Sequence, residues 1–216
     1  MSVAVVFDLD GTLVDSIPDI AAAVNRMLSR IGEAPMERAQ VQSFVGNGAP
    51  TLVRRVLGAR GVPEDRHPGL LAEFLPDYAA RAAEISAPYP GVVEALSHLT
   101  AHGHRLAVCT NKPHEAAVAM LRDLDLARHF GAVIGAGRLP TVKPDPEPLL
   151  AAIADLGGGP ALFVGDSEVD LHCGVNAGVP VALFTEGYLR DPSAASLATH
   201  RFAHFDELAG IVASLS

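Results

Sequence analysis

An α/β fold, a doubly wound parallel sheet carrying a small all-helical insert, is predicted by three features of the sequence. Short apolar, β-branched runs recur along the chain, helical patterns separate most of them, and one long early interval holds helical patterns only. Such runs suit strands buried on both faces. Their alternation with helices suits a parallel sheet covered on both sides.

The first strand is expected at Val3–Phe7, ending in the polar turn Asp8-Leu9-Asp10-Gly11-Thr12. From about Ile17 to Glu84 the patterns at Ile20–Ile31, Ala49–Leu57 and Leu70–Ala83 are helical. A strand-to-strand crossover needs one helix, so three define an insert. The prolines of Ser86-Ala87-Pro88-Tyr89-Pro90-Gly91 favour an extended return from it. The expected division is a Rossmann-like core of residues 1–15 and 85–216 and a helical cap of residues 16–84. Further strands are expected at His104–Cys109, Ala132–Ile134, Ala161–Val164 and Val181–Phe184. Helices are expected at Val92–Ala101, Glu115–Leu124, Pro146–Leu156 and Leu171–Ala177. Gly157-Gly158-Gly159-Pro160 leads into a strand and not a helix, which makes it a connection and not a phosphate loop.

Hydrophobic residues make up 49% of the chain and charged residues 19%, enough to bury a sizeable core and to exclude general disorder. Against 25 Asp and Glu stand 16 Lys and Arg, and 16 − 25 gives −9. That balance repels nucleic acid and anionic membrane, so neither is an expected partner. Cys109 and Cys173, the only cysteines, cannot build a disulfide framework. No apolar run reaches the roughly 18 residues of a spanning helix, and the first one ends at once in Asp8. A soluble cytoplasmic protein, monomeric or homodimeric, is the expectation.

Ligands of open parallel sheets bind beyond the carboxyl ends of the strands, and four such ends carry polar groups suited to one task. Asp8 and Asp10 follow the first strand. Thr110-Asn111-Lys112 follows the second, Lys143-Pro144-Asp145 the third, and Gly165-Asp166-Ser167 with Asp170 the fourth. In extended chain, residues i and i+2 project to the same side, so Asp8 and Asp10 can face one ligand. Adjacent carboxylates stay ionised only with a cation or proton between them. With Asp166 they form a hard-oxygen set that suits Mg²⁺ better than Zn²⁺. Lys143 and the Thr110 hydroxyl could then offset the charge of an incoming phosphate, which points to a small phosphoester as substrate.

Phe7-Asp8-Leu9-Asp10-Gly11-Thr12-Leu13-Val14-Asp15-Ser16, Thr110-Asn111-Lys112, Lys143-Pro144-Asp145-Pro146 and Gly165-Asp166-Ser167 with Asp170 resemble, in order and spacing, the four motifs of the haloacid dehalogenase-like superfamily. Gly46-Asn47-Gly48, Tyr89-Pro90-Gly91-Val92, Thr110-Asn111-Lys112-Pro113 and Phe184-Thr185-Glu186-Gly187-Tyr188 are similar to segments of its bacterial phosphoglycolate phosphatases. The resemblance implies a phosphomonoester hydrolase with Asp8 as nucleophile and Asp10 as general acid and base. It implies Thr110 and Lys143 on the transferring phosphate, and Mg²⁺ held by Asp8, the Asp10 carbonyl and Asp166. Asp170 is implied one layer behind, with Val169 standing where many relatives carry Asn. The implied reaction converts 2-phosphoglycolate to glycolate and phosphate, with Asn111, Gly46 and Asn47 on the substrate and the Asn47 amide donating to its carboxylate. Phosphatases of sugar phosphates, nucleotides or pyrophosphate, and a phosphosugar mutase, remain alternatives. A dehalogenase would not need Asp10, and a dinucleotide oxidoreductase would need a Gly-rich turn where Asp8-Leu9-Asp10 stands.

Overall fold

The computed structural model describes residues 2–215. Strand β1 (Ala4–Phe7) is buried throughout, with Val5 and Phe7 entering one apolar layer and Val6 the other. Period-two side-chain alternation explains why every position of this strand must be apolar. Next comes β2 (Val14–Asp15), paired antiparallel with β3 (Ala87–Pro88), so the leads into and out of the insert form a short ribbon. Between them lie helices α1 (Ile17–Arg30), α2 (Arg38–Gln42), α3 (Ala49–Ala59) and α4 (His67–Ala79).

After the ribbon the chain alternates as expected: α5 (Val92–Ala101), β4 (Arg105–Pro113), α6 (His114–Asp123), β5 (Ala132–Ala136), α7 (Glu147–Asp155), β6 (Ala161–Gly165), α8 (Glu168–Ala177) and β7 (Val181–Phe184). Strand β8 (His200–Phe202) and helix α9 (Leu208–Ala213) complete it. The six-stranded sheet has the order β5-β4-β1-β6-β7-β8, and all its pairs are parallel. Leu96 of α5, Met120 of α6 and Leu208 of α9 share a layer with Val5 and Phe7. Leu149 of α7 and Leu171 of α8 share the other with Val6. The first layer continues into the insert through Val24, Val53 and Phe74, so the insert helices and this sheet face pack as one apolar cluster. Truncating a fully buried member such as Phe7 to Ala should cost about 3–5 kcal/mol.

Five elements escaped the sequence reading, four of them for a common reason. The ribbon strands have two residues each, β8 three and α2 five, all too short to display a period. Helix α9 is six residues long with Gly210 in its middle. Helices α1, α4 and α8 each begin three residues earlier than expected. Pro18 opens α1, where a missing N–H costs nothing, and Ser167 caps α8 ahead of its apolar residues.

The fold also fixes where a ligand can sit. From β1 the chain moves to β4 and β5 on one side, then returns to build β6, β7 and β8 on the other. The crevice beyond the carboxyl ends of β1, β4 and β6 is therefore the topological switch point. The insert leaves the chain directly after β1.

Candidate active site

Asp8 is the first residue past β1, and its N–H donates to the Val164 carbonyl across the sheet (2.8 Å). Its Oδ1 accepts from the Leu9 N–H (2.7 Å) and pairs with Lys143 Nζ (2.9 Å). Among the described residues Oδ2 has no such partner, and Asp8 lines a cavity between the strand ends and the insert. Burial raises the Asp8 carboxyl to about 6, opposed by the Lys143 ammonium and reinforced by Asp170.

Lys143 is 2% exposed and spans Asp8 and Asp170, with Asp170 Oδ1 at 2.7 Å. Burial alone would pull its ammonium down, but the Asp170 and Asp8 carboxylates outweigh it and hold the pKa well above the usual lysine value. The other Asp170 oxygen accepts from the Ser167 hydroxyl (2.6 Å) and N–H (3.1 Å), closing a capping box at the start of α8. Asp170 is thus anchored by Ser167 and Lys143. Ser-x-x-Asp before an apolar run is the signature that announces this box, and Ser167 at N-cap was legible on that ground.

Asp166 follows β6. Its Oδ1 accepts from the Thr12 hydroxyl (2.6 Å) and its Oδ2 from the Tyr188 N–H (2.7 Å). Oxygens of Asp8, Asp166 and Asp170 lie within 4.8 Å of one another, all three residues buried. Burial, then Asp170 and Asp8, push the Asp166 carboxyl well above the usual range. Three desolvated carboxylates against one lysine leave surplus negative charge, and a hard divalent cation is the group that such an all-oxygen set fits.

Thr110, Asn111 and Lys112 lie within β4, which continues to Pro113 with its register against β5 shifted after Cys109. They form an irregular strand end and not the separate turn that the sequence suggests. Thr110 lines the cavity, and its hydroxyl oxygen accepts from the Lys112 N–H (3.2 Å). Asn111 ties two loops to the sheet. Its amide group donates to the carbonyls of Lys143 (2.9 Å) and Gly46 (3.1 Å), and its oxygen accepts from the Lys143 N–H (2.9 Å). Lys112 Nζ pairs with Asp10 Oδ1 (2.9 Å), donates to the Tyr78 hydroxyl and sits 4.4 Å from the centre of that ring.

The insert closes over this crevice. Gly46 and Gly48 line the cavity, both with positive φ, and a Cβ on Gly48 would stand 3.2 Å from the Asn111 carbonyl. Asn47 is not among the lining residues. Its side-chain oxygen instead accepts from Arg55 (3.0 Å) and from Arg190 (3.1 Å), which is itself paired with Glu168 of α8. The Tyr188 hydroxyl donates to Asp15 (2.9 Å) and accepts from the Ser16 N–H (3.1 Å), where the chain enters the insert. On the return lead, Asp19 accepts from the Ser86 N–H (2.8 Å) and hydroxyl (2.6 Å).

The profile of the haloacid dehalogenase-like hydrolases matches residues 5–184. The chain belongs to that family. A phosphoglycolate phosphatase of Cereibacter sphaeroides is 46% identical over 214 residues, covering 98% of either chain. One from Rhodobacter capsulatus is 41% identical over 98% of this chain and 97% of its own. In solved structures, one described as a predicted phosphoglycolate phosphatase from Haemophilus somnus 129pt superposes with a TM-score of 0.91 at 32% identity, covering 98% of both chains. Membership and near-full-length likeness to such enzymes support a phosphatase. Among the described residues, no helix is long and apolar enough to cross a membrane.

Within this hydrolase fold the motif residues Asp8, Asp10, Thr110, Asn111, Asp166 and Lys143 converge on one crevice. Sequence reasoning had Lys112 in a motif but not its contacts with Asp10 and Tyr78, and it missed Tyr78, Tyr188 and Arg190 as parts of the site. Tyr188 lies in a segment similar to the phosphoglycolate phosphatases, which was a usable signal. Arg190 and Tyr78 carried none, because only the folded chain sets them beside Asn47 and Lys112.

Proposed function

We propose that the protein hydrolyses a small phosphomonoester, 2-phosphoglycolate before others, through a phosphoaspartate on Asp8. The observation that carries this reading is Asp8 itself, a buried carboxylate in the cavity wall, fixed through Oδ1 to Lys143 and with Oδ2 left without a hydrogen-bond partner among the described residues. The near-full-length likeness to phosphoglycolate phosphatases supports the choice of substrate.

Asp8 Oδ2 attacks phosphorus, and the bond from phosphorus to the alcohol oxygen breaks. Asp10 gives its proton to that leaving oxygen, then takes one from the water that hydrolyses the phosphoaspartate and restores Asp8. Lys143 stabilises negative charge on the transferring phosphoryl group, and Thr110 donates its hydroxyl to it. Asp8, Asp166 and the Asp10 carbonyl would hold Mg²⁺, with Asp170 one layer behind. The ion would supply positive charge that lets a dianionic phosphate enter an acidic crevice.

Residues 16–84 act as a cap in this account, covering the strand ends and keeping bulk water from the phosphoryl group during attack. The contacts of Asn111 with Gly46 and of Arg190 with Asn47 support that role. Buried Cys109 and Cys173, both free, suit a reducing compartment, and we assign the enzyme to the cytoplasm.

Phosphate release from a panel of phosphoesters tests the reading. With Mg²⁺, 2-phosphoglycolate should be turned over best; excess chelator should abolish release and added Mg²⁺ should restore it. Ca²⁺, larger and less strict in geometry, should inhibit. Conversion of a sugar phosphate to its isomer without free phosphate would instead favour a mutase, and full activity in chelator would remove the metal.

A further inference from the structure

We propose that Lys112 binds the carboxylate of the substrate's leaving group and so selects phosphoesters of hydroxy acids. The proposal rests on the phosphatase reading and names the group that would give it its substrate class. Among the described residues that line the cavity, Lys112 is the only cation. Its side chain is 1% exposed, and its ammonium reaches Asp10 and the Tyr78 hydroxyl. Burying an ammonium group is costly unless an anion accompanies it; Asp10 is that anion here, and when it carries its proton as the general acid, Lys112 is left to pair with an anion of the substrate. Gripping phosphate does not require this second lysine, because Lys143 already stands at the nucleophile.

Position decides which end of the substrate Lys112 meets. Lys143 contacts Asp8, the group that attacks phosphorus, whereas Lys112 contacts Asp10, the group that must touch the leaving oxygen. The two lysines therefore divide the substrate between them, the phosphoryl group to Lys143 and the alcohol to Lys112. In a phosphorylated 2-hydroxy acid one carbon separates the leaving oxygen from the carboxylate, so a carboxylate at Lys112 keeps that oxygen within reach of Asp10. The other polar liners are neutral or acidic, and the Ser167 and Tyr188 hydroxyls already donate to Asp170 and Asp15. Ile20, Val45, Leu52 and Phe74 line the same cavity and offer an anion nothing. The amino end of α3, whose N-cap Gly48 brings no side-chain acceptor, opens beside it and adds a favourable field for negative charge.

A cycle between protein and substrate tests this. The rate constant kcat/KM is measured for wild type and Lys112→Met on 2-phosphoglycolate and on its neutral amide. Wild type should prefer the acid by roughly 30-fold or more, the effect of leaving one partner of a buried charge pair alone. In Lys112→Met that preference should fall to within about 3-fold, with the loss concentrated on the acid. Equal losses on acid and amide, or no preference in wild type, would overturn the role of Lys112 while leaving the phosphatase reading intact. Wild type that releases no phosphate from 2-phosphoglycolate would overturn the substrate and Lys112 together. Should Lys112→Met lack a cooperative melt, Lys112→Gln keeps a donor for Tyr78 and carries the same expectation.

Discussion

Replacing Asp8 with Asn should stabilise the metal-free protein, by an amount that grows with pH. Burial, opposed by Lys143 and reinforced by Asp170, holds the folded Asp8 carboxyl at about 6 against an ordinary 3.8. Well below pH 3.8 folded and unfolded chains both carry the proton, so Asp8 costs nothing there. As pH rises the unfolded chain sheds its proton first, and stability falls until the folded carboxyl has ionised near pH 6. A gap of about two units at 1.36 kcal/mol each makes the full loss about 3 kcal/mol. Asn has nearly the same shape and cannot ionise, and Lys143 keeps its partner Asp170 at 2.7 Å. In excess chelator, Asp8→Asn and wild type should therefore melt together near pH 3, below the unfolded carboxyl's 3.8. By pH 7 the variant should melt roughly 6–12 °C higher for a chain of this size. Differential scanning calorimetry of both proteins across that range is the assay, and saturating Mg²⁺ should raise wild type far more than the variant. A melting difference that stays constant with pH, or one that favours wild type, would refute the reasoning that burial outweighs Lys143 at Asp8.

Asp10→Asn keeps the main-chain oxygen but loses the proton donor, so steady-state turnover should fall at least about 10²-fold while Mg²⁺ still raises the melting temperature; unchanged turnover would place the acid elsewhere. Asn47→Ala removes the acceptor shared by Arg55 and Arg190. Because Asn47 does not line the cavity, turnover of 2-phosphoglycolate and of an aryl phosphate should drop by similar factors. A loss confined to phosphoglycolate would return Asn47 to the substrate.

What the sequence made legible follows from range. Asp8, Asp10 and Asp166 stand at the ends of strands whose apolar, β-branched runs are visible locally, and strand ends of a parallel sheet are where ligands bind. Lys143 was recoverable from the same logic with its motif. The remaining parts of the site depend on separations no local pattern reports. Thr12 meets Asp166 across 154 positions, and Tyr188 meets Asp15 across 173. Lys112 was in view as part of a motif, yet its partners Asp10 and Tyr78 come from the nucleophile loop and from α4 in the insert. Asn47 illustrates the converse. Its type and its flanking glycines suit contact with a carboxylate, but Arg190, 143 positions away, shares its oxygen with Arg55. The sequence predicts a strand that ends at Cys109 because Thr110-Asn111-Lys112 reads as a polar turn, while pairing with β5 resumes at Pro113.

The most direct test of the account is to catch the covalent intermediate. Wild type mixed with 2-phosphoglycolate labelled in its phosphate, then quenched in acid within one turnover, should carry label on the peptide that contains Asp8. Hydroxylamine should release that label, as it does from an acyl phosphate, and Asp8→Asn should carry none. Turnover in wild type with no label on this peptide, or label persisting in Asp8→Asn, would contradict Asp8 as the nucleophile.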